Sequence, residues 1–174
     1  MSSKLLSNHS ALSAPIDLRR VRTLFAVPER LAESNFLRRE IAARMHERLA
    51  LVKIAPHRIL EAGCGEGEDL SLLQTRFGDA FIIGVDGSEA MLMAAQAKQL
   101  SGRSSVSRFL SKWLPIKAGV GAPTESGLVC GDFAQLPLGV NAVDLVWSNL
   151  ALHWHPQPDR VFAEWRRALS IDGL

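Results

Sequence analysis

Ile59-Leu60-Glu61-Ala62-Gly63-Cys64-Gly65-Glu66-Gly67 reads as the end of a buried strand entering a glycine turn that opens a helix. Arg58 to Ala62 is short and apolar, as a strand covered on both faces should be. Glycines at alternate positions let the backbone turn sharply and approach a ligand closely, because no Cβ stands in the way. From Asp69 the run Asp69-Leu70-Ser71-Leu72-Leu73 restores a helical apolar stripe, which sets a helix N-terminus over the turn. A strand, a glycine turn and a helix N-terminus in that order make a site of nucleotide type.

The same alternation continues along the chain. Arg58–Ala62 is the first predicted strand and Glu68–Phe77 the first helix. Ala80–Val85 predicts a second strand ending at Asp86, and Ser88 is placed to cap a helix running through Gln99. Gly127–Gly131 predicts a third strand ending at Asp132, and Ala142–Trp147 a fourth ending at Ser148-Asn149. Pro158 takes a favourable first helical position, with Val161, Phe162, Trp165 and Leu169 as the apolar stripe of the last helix. This pattern predicts an α/β fold with a doubly wound, mainly parallel sheet. Ligands of such sheets bind beyond the carboxyl ends of the strands. Those ends carry Glu61, Asp86, Asp132 and Asn149.

Composition suits one globular core: 174 residues, 47% hydrophobic, with a mean hydropathy of +0.08. No apolar run is long enough to span a membrane. The formal charge of +2 hides an asymmetry, since residues 1–57 carry 10 Lys and Arg against 5 Asp and Glu. Residues 58–174 carry 10 against 13. A basic N-terminal part suits an acidic partner. Residues 1–15 are Ser-rich without the apolar core of a signal peptide, and a disordered tail is expected there. Residues 16–56 are expected to form a helical lid. Asp17 to Phe25 sets Arg19, Arg20 and Arg22 against Leu18, Val21, Leu24 and Phe25. After Pro28 a longer helix to about Lys53 is expected on a face of Leu37, Ile41, Met45, Leu49 and Val52, with Glu40 and Arg44 paired outside.

Residues 57–174 are expected to be the ligand-binding core. Within it, Ser101 to Ser126 is an irregular insertion holding Arg103, Arg108, Lys112 and Lys117 and no acid before Glu125. Phe109, Leu110, Trp113 and Leu114 there suit one short amphipathic helix. It reads as a solvated basic loop, or as a docking surface for an acidic protein or nucleic acid, and no nucleic-acid motif supports the last. Cys64 and Cys130 are expected as small core residues in a reducing, cytoplasmic setting. The histidines and cysteines lack the spacing of a metal site.

The glycine turn discriminates among nucleotides. A dinucleotide fingerprint needs G-x-G-x-x-G, and its third glycine would fall on Glu68. A pyrophosphate favours the positive helix end, whereas Glu61 before the turn and Glu66 and Glu68 beside it suit a cationic ligand. Asp86 can accept from both ribose hydroxyls. Asp132 and Phe133 offer an acceptor and a flat apolar contact to an adenine ring. Adenine, ribose and a positively charged, phosphate-free tail describe S-adenosylmethionine; NAD and FAD fit worse.

Four motifs carry a family resemblance: Glu61-x-Gly63-x-Gly65-x-Gly67, Gly84-Val85-Asp86-Gly87-Ser88-x-x-Met91-Leu92, Gly131-Asp132-x-x-x-Leu136-Pro137-Leu138 and Val143-Asp144-Leu145-Val146-x-Ser148-Asn149-Leu150. Together they resemble the class I S-adenosylmethionine-dependent methyltransferases, which have a Rossmann-like fold. A finer resemblance, to the malonyl-acyl-carrier-protein O-methyltransferases of biotin synthesis, rests on Asp17 to Arg22, Phe36 to Ile41, Val146 to Trp154 and Val161 to Leu169. The resemblance implies that Gly63, Gly65 and Gly67 line the methionine part of the cofactor and that Glu61 helps hold its ammonium. It implies that Asp86 takes the ribose hydroxyls, that Gly87, Met91 and Phe133 border the adenine, and that Asp132 accepts from the adenine amine. Asn149 would face the methionine end near the methyl.

The implied reaction is in-line displacement at the sulfonium methyl by a substrate carboxylate. That nucleophile is ionised at neutral pH and needs no general base, so no catalytic residue is assigned. His153 and His155 are the nearest candidates for substrate contact or proton handling; otherwise they shape a loop before Pro156. An acidic acyl-carrier protein would meet the basic lid and the insertion. The chain has no tyrosine, so any family role of a lid tyrosine is vacant. Ser170 to Leu174 resembles the turn into a fifth strand of a seven-strand sheet, and the core is expected to be truncated there. Alternatives are a methyltransferase-like protein with another role, such as an arginine hydroxylase of respiratory-complex assembly, or a cofactor-binding scaffold.

Overall fold

A computed structural model of the chain describes residues 16–102 and 126–174. The expected tail at 1–15 and the insertion residues 103–125, including Arg103, Arg108, Lys112, Lys117 and the apolar set Phe109, Leu110, Trp113 and Leu114, lie outside the described residues. Helix α1 (Leu18–Leu24) is capped by Asp17, whose carboxylate accepts the Arg19 N–H at 2.8 Å. A 3-10 stretch (Pro28–Ser34) leads into α2 (Asn35–Leu49). The single helix expected from Pro28 to Lys53 is therefore shorter at both ends. Beyond Leu49, Leu51 and Val52 donate three residues back, to Arg48 and Leu49, and the chain turns out toward the first strand. Glu40 and Arg44 pair at 2.7 Å as expected.

The sheet has four parallel strands in the order β3-β2-β1-β4, with β1 at Arg58–Ala62, β2 at Phe81–Asp86, β3 at Gly127–Cys130 and β4 at Leu145–Trp147. Between them run α3 (Glu68–Arg76) and α4 (Glu89–Gly102), and α5 (Pro158–Ala168) follows β4. This is the Rossmann-like, doubly wound arrangement that the alternation predicts. Ser88 caps α4, its Oγ accepting the Met91 N–H at 3.4 Å. Side chains leave each strand alternately to two cores. Ile59, Ile82, Leu145 and Trp147 pack with Leu49, Leu70 and Leu73 on one face. Leu60, Ala62 and Val85 pack with Leu136, Val143 and Ala168 on the other. Each fully buried Leu or Ile contributes roughly 1.5–3 kcal/mol, so the central strands anchor the turn that follows them.

Three expectations are corrected. The fourth strand was expected from Ala142, but Val143 pairs with the chain after α5, accepting the Ser170 N–H at 2.8 Å and donating to Ala168 at 3.0 Å. The turn expected at Ser170 to Leu174 is present, Gly173 donating to the Ser170 carbonyl at 3.1 Å, and it brings Leu174 beside β4, where Val146 donates to the Leu174 carbonyl at 2.7 Å. Cys130 is exposed rather than core, because it ends the edge strand, whereas Cys64 is buried. On α5, Val161 and Ala168 are buried but Phe162 is 54% exposed, so the inward stripe is narrower than its apolar residues suggest.

Candidate functional site

Beyond the carboxyl ends of the strands lies a pocket of about 260 Å³. Gly63, Gly65, Asp86, Gly87, Gly131, Asp132, Phe133 and Asn149 form one wall. Leu18, Val21, Arg22 and Phe25 of the N-terminal helix, with Leu37 and Arg38, form the facing one. A side cavity of about 40 Å³ continues under the turn, bounded by Glu61, Asp69 and Asn149 and sharing Gly63, Gly65 and Arg38 with the main pocket.

The turn is built from left-handed glycines. Gly63, Gly65 and Gly67 have φ of 76°, 52° and 74°, a region costly for residues with a Cβ. Their surroundings differ. A Cβ on Gly63 would overlap that of Ala151. One on Gly67 would meet Leu70 at 3.0 Å and Ala95 at 3.1 Å, so Gly67 serves the packing of α3 on α4. One on Gly65 would find only the Arg38 guanidinium, at 3.9 Å, and would stand in open pocket. Gly67 and Met91, both expected against the ligand, are absent from the walls of either cavity; Met91 is fully buried in the core.

Asp86 accepts the Gly65 N–H at 2.9 Å and the Ser88 N–H at 2.8 Å, which fixes its carboxylate across the pocket floor. Burial raises its pKa, and those two N–H groups partly offset the rise. Glu61 is 3% exposed and its Oε2 is buried without a hydrogen-bond partner. Burial pushes its carboxyl well above the ordinary range, and the nearby Asp69 and Asp86 push it further. Asn149 donates to the Arg38 carbonyl at 3.0 Å and to Asp69 at 3.1 Å, leaving its own Oδ1 buried without a donor. Two orphaned acceptors thus face one small cavity. Unmet buried acceptors are costly, and a cationic N–H donor is the group that satisfies both.

Glu66 and Glu68, expected from the sequence to favour a cationic ligand, have their charges already met. Glu66 pairs with Lys98, and Glu68 with Arg39 at 2.9 Å. The acid that sequence reasoning missed is Asp69, which was counted into the helical stripe. It is 7% exposed and accepts the Trp147 indole N–H at 2.7 Å. Its signal was position: an acid in the first turn of the helix the glycines open. Also unforeseen is Leu150, a pocket-wall residue held at φ 54°, a strained conformation for a bulky side chain. Both candidate histidines line the pocket: His153 lies against Trp154, ring centroids 4.9 Å apart, and His155 is buried beside Asp132.

A four-strand Rossmann-like core with a glycine turn, an acid ending β2 and an acid after β3 defines the methyltransferase class of α/β proteins. Residues 60–174 match the methyltransferase domain family, and the chain belongs to it. It is 41% identical over 138 residues to the malonyl-[acyl-carrier protein] O-methyltransferase of Laribacter hongkongensis, covering 79% of this chain and 42% of that one. It is 36% identical over 163 residues to the enzyme of the same name from Methylovorus, covering 91% and 49%. The chain therefore spans about half the length of these curated relatives. Among solved structures it resembles an S-adenosylmethionine-dependent methyltransferase from Mesorhizobium loti (27% identity, TM-score 0.50, 71% of this chain and 47% of that one). It also resembles an arsenic(III) S-adenosylmethionine methyltransferase from Chlamydomonas reinhardtii (27%, TM-score 0.52, 67% and 36%). No helix among the described residues is long and apolar enough to cross a membrane.

Proposed function

We propose that the chain binds S-adenosylmethionine and forms the cofactor-binding part of an enzyme that O-methylates the free carboxylate of malonyl-acyl-carrier protein in biotin synthesis. The observation that carries the cofactor is the pair of orphaned buried acceptors, Glu61 Oε2 and Asn149 Oδ1. The methionine ammonium supplies the donors they lack. Gly63 and Gly65 lie along the methionine part, Asp86 accepts from the ribose hydroxyls, and Asp132, Phe133 and Gly87 border the adenine. Gly67 and Met91 support this wall from behind.

The cofactor supplies an electrophilic sulfonium methyl. The chain's own part is to orient and to exclude water: the apolar wall of Leu18, Val21, Phe25, Leu37 and Leu150 covers the pocket. The acceptor carboxylate is ionised at neutral pH, so no side chain is needed as a base. Residues 16–56 act as the lid and 57–174 as the core. The acceptor is supported by the relatives' shared name, and an acidic carrier by Arg19 and Arg20, which lie on α1 beside the pocket wall. A cytoplasmic location belongs to the same proposal, supported by two free thiols.

Calorimetry of the 174-residue chain with S-adenosylmethionine, S-adenosylhomocysteine and NAD tests the cofactor, with binding of the first two expected. Mass spectrometry of malonyl-carrier protein incubated with a chain of the relatives' full length tests the acceptor. A carrier that gains no methyl mass sinks that part.

A further inference from the structure

We propose that His155 is a positioning residue for Asp132 and, through it, sets the pocket's preference for adenine over hypoxanthine; this rests on the cofactor reading above. His155 follows the 3-10 turn Leu152–Trp154 and is 6% exposed. Its Nδ1 accepts the Gln157 N–H at 3.0 Å. A ring nitrogen that accepts a hydrogen bond carries no proton, so the imidazole proton sits on Nε2. Nε2 lies 3.6 Å from Asp132 Oδ1. That is too long for a formed hydrogen bond, but with His155 buried and Asp132 half-buried the N–H dipole still attracts the carboxylate.

The same Oδ1 accepts the Ala134 N–H at 2.8 Å. Both neighbours therefore address one oxygen, and no described residue donates to Oδ2. Asp132 lines the pocket, and Oδ2 is the oxygen left to accept from a ligand there. The Phe133 ring lies against the imidazole at 5.7 Å, which limits how far the pair can rotate. An oriented free carboxylate oxygen selects a base by its exocyclic group. The adenine amine donates to it, whereas the hypoxanthine carbonyl sets one acceptor against another. Without the imidazole, Asp132 loses one of two restraints, so adenine preference falls while the fold persists.

The test is calorimetry of the 174-residue chain with S-adenosylhomocysteine and S-inosylhomocysteine, for the wild type, H155F and H155Q. Phenylalanine fills the buried volume without an N–H; glutamine restores an N–H near the Nε2 position. The expected result is a wild-type preference for the adenosyl compound that H155F lowers about tenfold and H155Q largely restores. An unchanged preference in folded H155F overturns the role of His155 and leaves the cofactor reading intact. A wild type that binds neither compound overturns the cofactor reading itself. Should H155F fail to fold, nitrogen NMR of the wild-type imidazole decides: a proton on Nε2 supports the proposal, and one on Nδ1 overturns it.

Discussion

Glu61 sits where a negative charge is poorly solvated and where Asp69 and Asp86 repel it, so its raised pKa has a consequence for stability. At low pH it is protonated in the folded and unfolded chain alike. Above about pH 4.3 the unfolded chain ionises while the folded one resists, so this contribution is lost as pH rises through the raised value. Glu61→Gln should remove that slope and raise the apo melting temperature at pH 7 by about 5 °C, read by calorimetry. The same change should weaken S-adenosylmethionine about 30-fold, the equivalent of roughly 2 kcal/mol for a hydrogen bond to a charged group. A second contrast separates two glycines of one turn. Gly63→Ala collides with Ala151 and should destabilise by about 2 kcal/mol or more, whereas Gly65→Ala meets open pocket. Gly65→Ala should leave a folded chain, by circular dichroism, whose cofactor affinity is down at least about tenfold.

Ser88 joins two elements that lie far apart in sequence. Its Oγ accepts from Met91 at the start of α4 and donates to the Phe25 carbonyl at 2.8 Å, just after α1. Phe25 in turn meets Trp154 edge-on at 5.2 Å. Ser88→Ala should cost about 1 kcal/mol by urea unfolding, from the lost cap, and should speed amide exchange in α1 more than in α2. The cap itself was legible in the sequence, because Ser before an apolar helical run needs no tertiary knowledge. So were β1, β2, the α3 and α4 helices and the gathering of Gly63, Gly65, Asp86, Asp132, Phe133 and Asn149 at one edge, since strand ends fix them. The N-terminal segment was less legible. Leu37 belongs to the expected apolar face of α2, yet it is 46% exposed because it lines the pocket rather than the core. A period of 3.6 marks an apolar face without saying what covers it.

At the scale of the molecule, β1 is stressed in opposite senses at its two ends. Its start is held by Asp144, whose Oδ2 accepts the N–H groups of His57 at 3.0 Å and Arg58 at 2.9 Å, while Oδ1 accepts from Ser170 at 3.2 Å. Three segments, before β1, before β4 and after α5, meet on this one carboxylate. No pattern in the sequence announces that, because the junction depends on tertiary closure rather than on local spacing. Burial pushes the Asp144 pKa up, but the donors of Arg58, His57 and Ser170 outweigh it and hold the carboxyl below its usual value. A depressed acid stabilises above its unfolded pKa, and that stability is lost as pH falls below about 3.9. Glu61, at the other end of β1, acts with the opposite sign. Urea unfolding from pH 3 to 8 should therefore give a curve falling on both sides, with the two arms assignable by mutation. Asp144→Asn should flatten the acid arm, destabilise by roughly 1–2 kcal/mol at pH 7 for these partly exposed bonds, and leave cofactor affinity unchanged. Glu61→Gln should flatten the other arm and weaken cofactor affinity. If Asp144→Asn instead abolished binding without unfolding the chain, the two ends of β1 would not be energetically separate, and the pocket would depend on the junction at the far side of the sheet.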